Sequence, residues 1–136
     1  MSFKKFLLGN KITYKIYLYY NLFYKHKIHS KRSYYSQWGE DLEIQKFFKG
    51  KKNGFYLDIG CYHPTMYSNT CLLFNDGWKG INIDMNQTSI DLFNIARPKD
   101  LNICSAISKE EKVIKYYYDH SFSPINTIDK DFYDQH

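Results

Sequence analysis

The first 39 residues contain no aspartate or glutamate, against eight lysines and arginines. The rest of the chain is acidic on balance, so the net charge of +5 belongs to one end of the molecule. Long hydrophobic runs are missing from that end too. Its longest uncharged stretch, Ile16 to Tyr24, is nine residues, whereas a membrane-spanning helix needs ~20. No small-residue cleavage site follows, which argues against a secretory signal. Cysteine is scarce: Cys61, Cys71 and Cys104 are odd in number, and their spacings match no zinc or redox pattern. Free thiols in a reducing compartment are expected, with Cys61 a small buried residue under a loop. A glycine-rich phosphate loop is absent as well, since no glycine follows Gly60 until Gly77. A pyrophosphate-bearing nicotinamide or flavin cofactor is therefore disfavoured, because nothing brings its charge onto a helix start.

What remains is enough for a packed domain. Apolar residues make up 43% and aromatics 19% of 136 residues, which argues against wholesale disorder and for one domain. Residues 1–33 read as a basic, aromatic, irregularly amphipathic helical extension. It has two uses: packing on the domain, or attaching peripherally to an acidic membrane surface. No nucleic-acid motif accompanies the basic residues, so nucleic acid is not an expected partner. The expected location is cytoplasmic or membrane-peripheral. The polar "HSKRSYYS" at residues 29–36 marks the boundary with a domain over 34–136.

Within that domain, "SQWGEDLEIQKFFKG" predicts a short helix capped by Ser36 and ending near Gly50. "GFYLDIG" predicts a buried strand closed by Gly60. "SNTCLLFNDG" predicts a helix starting at Ser68 or Asn69 and ending at Gly77. "GINIDM" is a second strand, and "TSIDLFNIARP" a helix capped by Thr88 and stopped before Pro98. "LNICSAI" is a third strand, and "VIKYYYD" a fourth, antiparallel to the third. Short buried strands alternating with helices indicate an α/β domain with a parallel sheet and right-handed crossovers.

Ligands of such sheets bind at the carboxyl ends of the strands. Gly60 ends the first strand, where a missing Cβ permits close approach to the backbone. Asp84 ends the second strand, where a carboxylate can accept hydrogen bonds from both hydroxyls of a ribose. Asp58 points to the same face as Gly60 and could orient the loop or contact a ligand amine. This arrangement suits an adenosine-type cofactor. A methyltransferase, another nucleotide-binding sheet and a sheet without a ligand all remain open on pattern alone.

"YSQWGEDLEIQKFF", then "GFYLDIGCYHPTMYSNTCLLFNDGWKGINIDMN" with "SIDLF", "RP" and "SAIS", closely resemble FkbM-family S-adenosylmethionine-dependent methyltransferases over roughly residues 34–130. The resemblance implies a Rossmann-like methyltransferase sheet with flanking helices. It also implies O-methylation of a hydroxyl on a small-molecule or glycan acceptor, often in glycan biosynthesis. Carried over by position, Asp58 and Gly60 match the first cofactor motif and Asp84 the ribose-binding acid. His63, Ser68, Asn69 and Thr70 match the segment that closes over the methionine part. Ser36, Gln37, Gly39, Glu40 and Asp41 match a motif expected to line the methionyl end, and Ser105 and Ala106 fall where the adenine edge would lie. Simpler roles compete at several positions: Glu40 and Asp41 as helix-dipole partners, Ser68 as a cap, His63 as loop packing.

Family members continue beyond this point with strands that complete the sheet and help form the acceptor pocket. About a hundred residues after the extension accommodate about three strands with their helices, at ~30 residues per unit. The expectation is therefore a sheet cut short after the third or fourth strand, the front portion of an enzyme. The alternative is a non-catalytic remnant that binds cofactor or a membrane surface. No general base stands out; Asp119 and His120, after the fourth expected strand, are the nearest candidates.

Overall fold

A computed structural model describes residues 9–26, 33–110, 115–117, 123 and 126–135. Helix α1 (Lys11–Tyr20) is capped by Asn10, whose side chain accepts the Ile12 N–H at 2.9 Å, and widens into a π turn over Asn21–Lys25. Then follow α2 (Glu40–Phe47), β1 (Phe55–Ile59), α3 (Cys71–Asn75), β2 (Lys79–Asp84), α4 (Gln87–Ala96), β3 (Leu101–Cys104) and a short α5 (Lys130–Asp134). The strands form a parallel sheet in the order β1-β2-β3. The protein is thus an α/β fold with a small, open, three-stranded parallel sheet flanked by helices, compatible with part of a Rossmann-like sheet.

Several local expectations need correction. Ser36 lies four residues before α2, with Gly39 at the cap position. Its Oγ still accepts the N–H groups of Gly39 and Asp41, at 2.9 and 3.3 Å, so it serves the same orphan donors from further upstream. α4 is capped by Asn86 and not by Thr88, because the Asn86 amide oxygen takes the Thr88 N–H at 3.0 Å. α3 begins after Thr70, so neither Ser68 nor Asn69 caps it. Of the expected fourth strand, residues 113, 114, 118 and 119 lie outside the described residues. Within it, Tyr117 makes one antiparallel bridge, and its partner is Thr127, not β3.

Alternation along the strands gives the sheet two unlike faces. Tyr56, Gly80, Asn82 and Asn102 face one side, in register and packed beneath the helices. Asn82 is fully buried and donates to Asn102 at 2.8 Å and to Asp100 at 3.1 Å. Gly80 is required here, since a Cβ would overlap the Tyr56 ring. Phe55, Leu57 and Ile59 of β1 and Leu101 of β3 face the other side and are 57–66% exposed. The helical side holds the core. Tyr56, Leu73 and Trp78 pack with Ile44 and Phe48, and Leu92 of α4 meets Leu18, Leu22 and Met66.

Candidate functional site

The carboxyl ends of the three strands are drawn together by backbone hydrogen bonds. The Gly60 N–H donates to the Ile83 carbonyl at 2.8 Å, and the Ser105 N–H donates to the Asp84 carbonyl at 2.9 Å. Gly60 has a φ of +74°, where a side chain would be strained, and the space in front of its Cα is open. Beyond Gly60 the chain folds back, so that the Tyr62 N–H donates to Asp84 Oδ2 at 3.0 Å. Asp84 Oδ1 accepts the Asn86 N–H at 2.7 Å. One carboxylate therefore fixes both the loop after β1 and the approach to α4. Each of its oxygens keeps a second lone pair for a ligand hydroxyl. Burial raises the Asp84 pKa above the usual carboxylate value, the two backbone donors oppose the rise, and the charge of Asp58 adds to it.

Two cavities meet at Asp84. One, of about 300 Å³, is lined by Gly60, Tyr62, Tyr67, Asp84, Asn86 and Ser89 among others. The second, of about 220 Å³, is lined by Gly60, Asp84, Met85, Ser105, Ala106 and Ile107 among others. Tyr62 and Tyr67 stack at the first, with ring centroids 6.4 Å apart and planes 19° apart. Ser89 is fully buried, and its Oγ has no hydrogen-bond partner among the described residues. An unpaired hydroxyl bordering a cavity is a group awaiting a polar partner.

Of the residues singled out in the sequence, Gly60, Asp84, Ser105 and Ala106 are brought together here. Gln37, Glu40, Asp58, His63 and Asn69 line neither cavity. Gln37 and Asn69 are exposed. Glu40 is exposed at the start of α2, where it accepts the Trp38 N–H at 2.9 Å; backbone hydrogen bonds, its own first, hold its pKa down. Its neighbour Asp41 is fully buried and takes the Tyr35 N–H and the Ser36 hydroxyl, both at 2.6 Å. The His63 ring is also fully buried. Its Nδ1 accepts the Thr65 and Met66 N–H groups at 3.1 and 3.0 Å, and the ring meets His26 edge-on at 4.9 Å. Asp119 and His120 lie outside the described residues. Cys61 is buried against Ile90 and Phe93, where desolvation, aided by Asp84 and Asp58, pushes its thiol far above the ordinary value. That makes it a packing residue and not a nucleophile.

Asp58 instead belongs to a polar interior centred on Arg97. It accepts the Thr70 hydroxyl at 2.6 Å, and Thr70 Oγ1 in turn accepts from Arg97 at 2.9 Å. The buried guanidinium also donates to the Tyr56 hydroxyl at 2.9 Å, the Pro64 carbonyl at 2.7 Å and Ser68 Oγ at 3.2 Å. Its carbon lies 4.8 Å from the Phe93 ring centre and 4.9 Å from that of Phe74. Tyr56 passes the network on to Asp100. Burial raises the Asp58 pKa, and Thr70 and then Arg97 oppose the rise. Pattern reading missed Arg97 and Ser89. An Arg at the end of a helix before a proline, and a Ser in a first helical turn, both look like solvated residues.

No family model, curated protein or solved structure matches this chain.

Proposed function

We propose that the strand-end site binds S-adenosylmethionine, and that the protein belongs to an O-methyltransferase acting on a hydroxyl of a sugar or other glycan. The observation that carries the reading is Asp84, shared by two adjoining cavities beside the open backbone of Gly60. A strand-end carboxylate with free lone pairs suits a ribose diol. The absence of a glycine-rich turn suits a cofactor without phosphates. The larger cavity, about 300 Å³, reaches the size at which small-ligand sites begin, and Ser89 offers a buried hydroxyl still to be paired. Ser105 and Ala106 border the second cavity as an adenine edge would require.

S-adenosylmethionine supplies an electrophilic methyl group on a sulfonium. The contribution of the chain is to hold the ribose at Asp84 and to keep the loop from Gly60 to Tyr62 in place. Acceptor alignment matters more than acid-base help, because the attacking oxygen must lie in line with the methyl carbon and ~3 Å from it.

Calorimetry with S-adenosylmethionine, S-adenosylhomocysteine and NAD is the deciding experiment. The first two are expected to bind and NAD to bind more weakly. Ser89→Ala is expected to weaken the sulfur ligands without lowering stability, since its hydroxyl makes no internal hydrogen bond among the described residues. Tighter binding of NAD would overturn the assignment.

A further inference from the structure

Helix α1 and the π turn after it have two apolar sides, and among the described residues only one packs on the domain. Tyr14, Leu18 and Leu22, one turn apart, pack with Met66 and Leu92, and the Tyr14 hydroxyl donates to Asp91 of α4 at 2.6 Å. On the opposite side Ile12, Ile16, Tyr19 and Phe23 are 73, 61, 43 and 58% exposed. Tyr19 and Phe23 stack with centroids 5.9 Å apart, so this outer stripe is continuous. Lys11 and Lys15 border the same surface. A helix already docked through one face has no need of a second apolar face for folding, and a contiguous exposed stripe marks an interaction surface.

Charge decides what that surface fits. The first 39 residues hold eight basic side chains and no acidic one. A second copy of the same helix would set lysines against lysines, whereas an acidic surface would neutralise them. Among the described residues no helix is long and apolar enough to cross a membrane. A stripe of isoleucine and aromatic rings bordered by lysine instead suits a helix lying in the plane of a bilayer interface, with rings at headgroup depth. We propose that the outer side of α1 docks the protein onto a bilayer containing acidic phospholipids. Ile16 and Phe23 enter the interface, and Lys11 and Lys15 meet the headgroups. The inner side stays on α4, so docking requires no rearrangement of the domain.

Vesicle flotation of the full chain tests this, using phosphatidylcholine alone and phosphatidylcholine mixed with phosphatidylglycerol. Binding is expected to be about tenfold or more stronger to the acidic vesicles. It should be largely lost at ~1 M salt, where the screening length falls to ~3 Å. Ile16→Ser with Phe23→Ser, and separately Lys11→Glu with Lys15→Glu, should each lower binding by about tenfold with unchanged circular dichroism. Equal binding to both vesicle types, or binding to neither, overturns the proposal. If the same variants instead abolish a dimer seen by sedimentation, the stripe belongs to a second copy of the chain. Ligand calorimetry on these variants reads the strand-end site independently, so failure of one idea leaves the other intact.

Discussion

Asp84 does two jobs that a neutral side chain cannot share. Its two oxygens hold the N–H groups of Tyr62 and Asn86. Asparagine has one acceptor oxygen, and its amide would point a donor at one of those donors. Asp84→Asn should therefore cost about 1 to 3 kcal/mol in urea unfolding, besides weakening S-adenosylmethionine by about tenfold or more. The sequence placed Asp84 at a strand end as a free ribose acceptor; its structural duty appears only when the loop is seen to fold back. The raised pKa gives a further signature. Protonation is easier in the folded state, so the part of the stability linked to this proton is present below the ordinary carboxylate value and is lost as pH rises through the raised one. Ligand hydroxyls need the ionised form, so affinity should fall on acidification at a pH above the ordinary carboxylate value. Affinity and this proton-linked part of the stability thus move in opposite directions. Calorimetry and unfolding across this acid window check the pair of trends, and an affinity flat through it removes Asp84 from the ligand site.

The strands and most helices were legible because apolar runs are punctuated by Gly50, Gly60 and Gly77, each of which has positive φ in the structure. Caps were less so. Asn86 and Thr88 are both good capping residues two positions apart, and only the hydrogen bond from the Asn86 N–H to Asp84 selects the first. The polar interior was invisible, since Asn82 sits in the middle of an apolar strand and its partners come from the end of α4 and the start of β3, while those of Arg97 come also from the segment after β1. Arg97 joins these pieces, and what it joins can be measured. Arg97→Met keeps much of the volume but removes the donors to Tyr56, Thr70, Ser68 and the Pro64 carbonyl. It also leaves Asp58 without its neighbouring cation. Removing one member of a buried ionic network costs about 3 to 5 kcal/mol. Thr70→Val, which breaks the link to Asp58 and removes one acceptor from Arg97 but leaves the guanidinium its other partners, should cost about 1 to 2 kcal/mol. An Arg97→Met protein within ~1 kcal/mol of the parent would show that water replaces the guanidinium at little cost.

A parallel sheet ordinarily has both faces covered, because its crossover helices lie on them. Here the strands follow one another in order, and the covered face is the polar one beneath the helices. The apolar face is open along its two edge strands, at Phe55, Leu57, Ile59 and Leu101, while Ile83 in the middle strand is buried. That inversion predicts a solution property. The dye ANS, which reports exposed apolar surface, should bind the native protein. Leu57→Thr with Leu101→Thr should lower that binding while changing stability by about 0.5 kcal/mol or less, as for surface positions. Leu73→Ala, on the covered side, should by contrast cost about 2 to 5 kcal/mol. The two variants discriminate because they remove leucine from opposite sides of the same sheet. If the threonine pair destabilises the protein as much as Leu73→Ala does, the open face is buried in solution against something else. Sedimentation at several concentrations then shows whether that cover is another copy of the chain, since a stability loss that grows with protein concentration requires one.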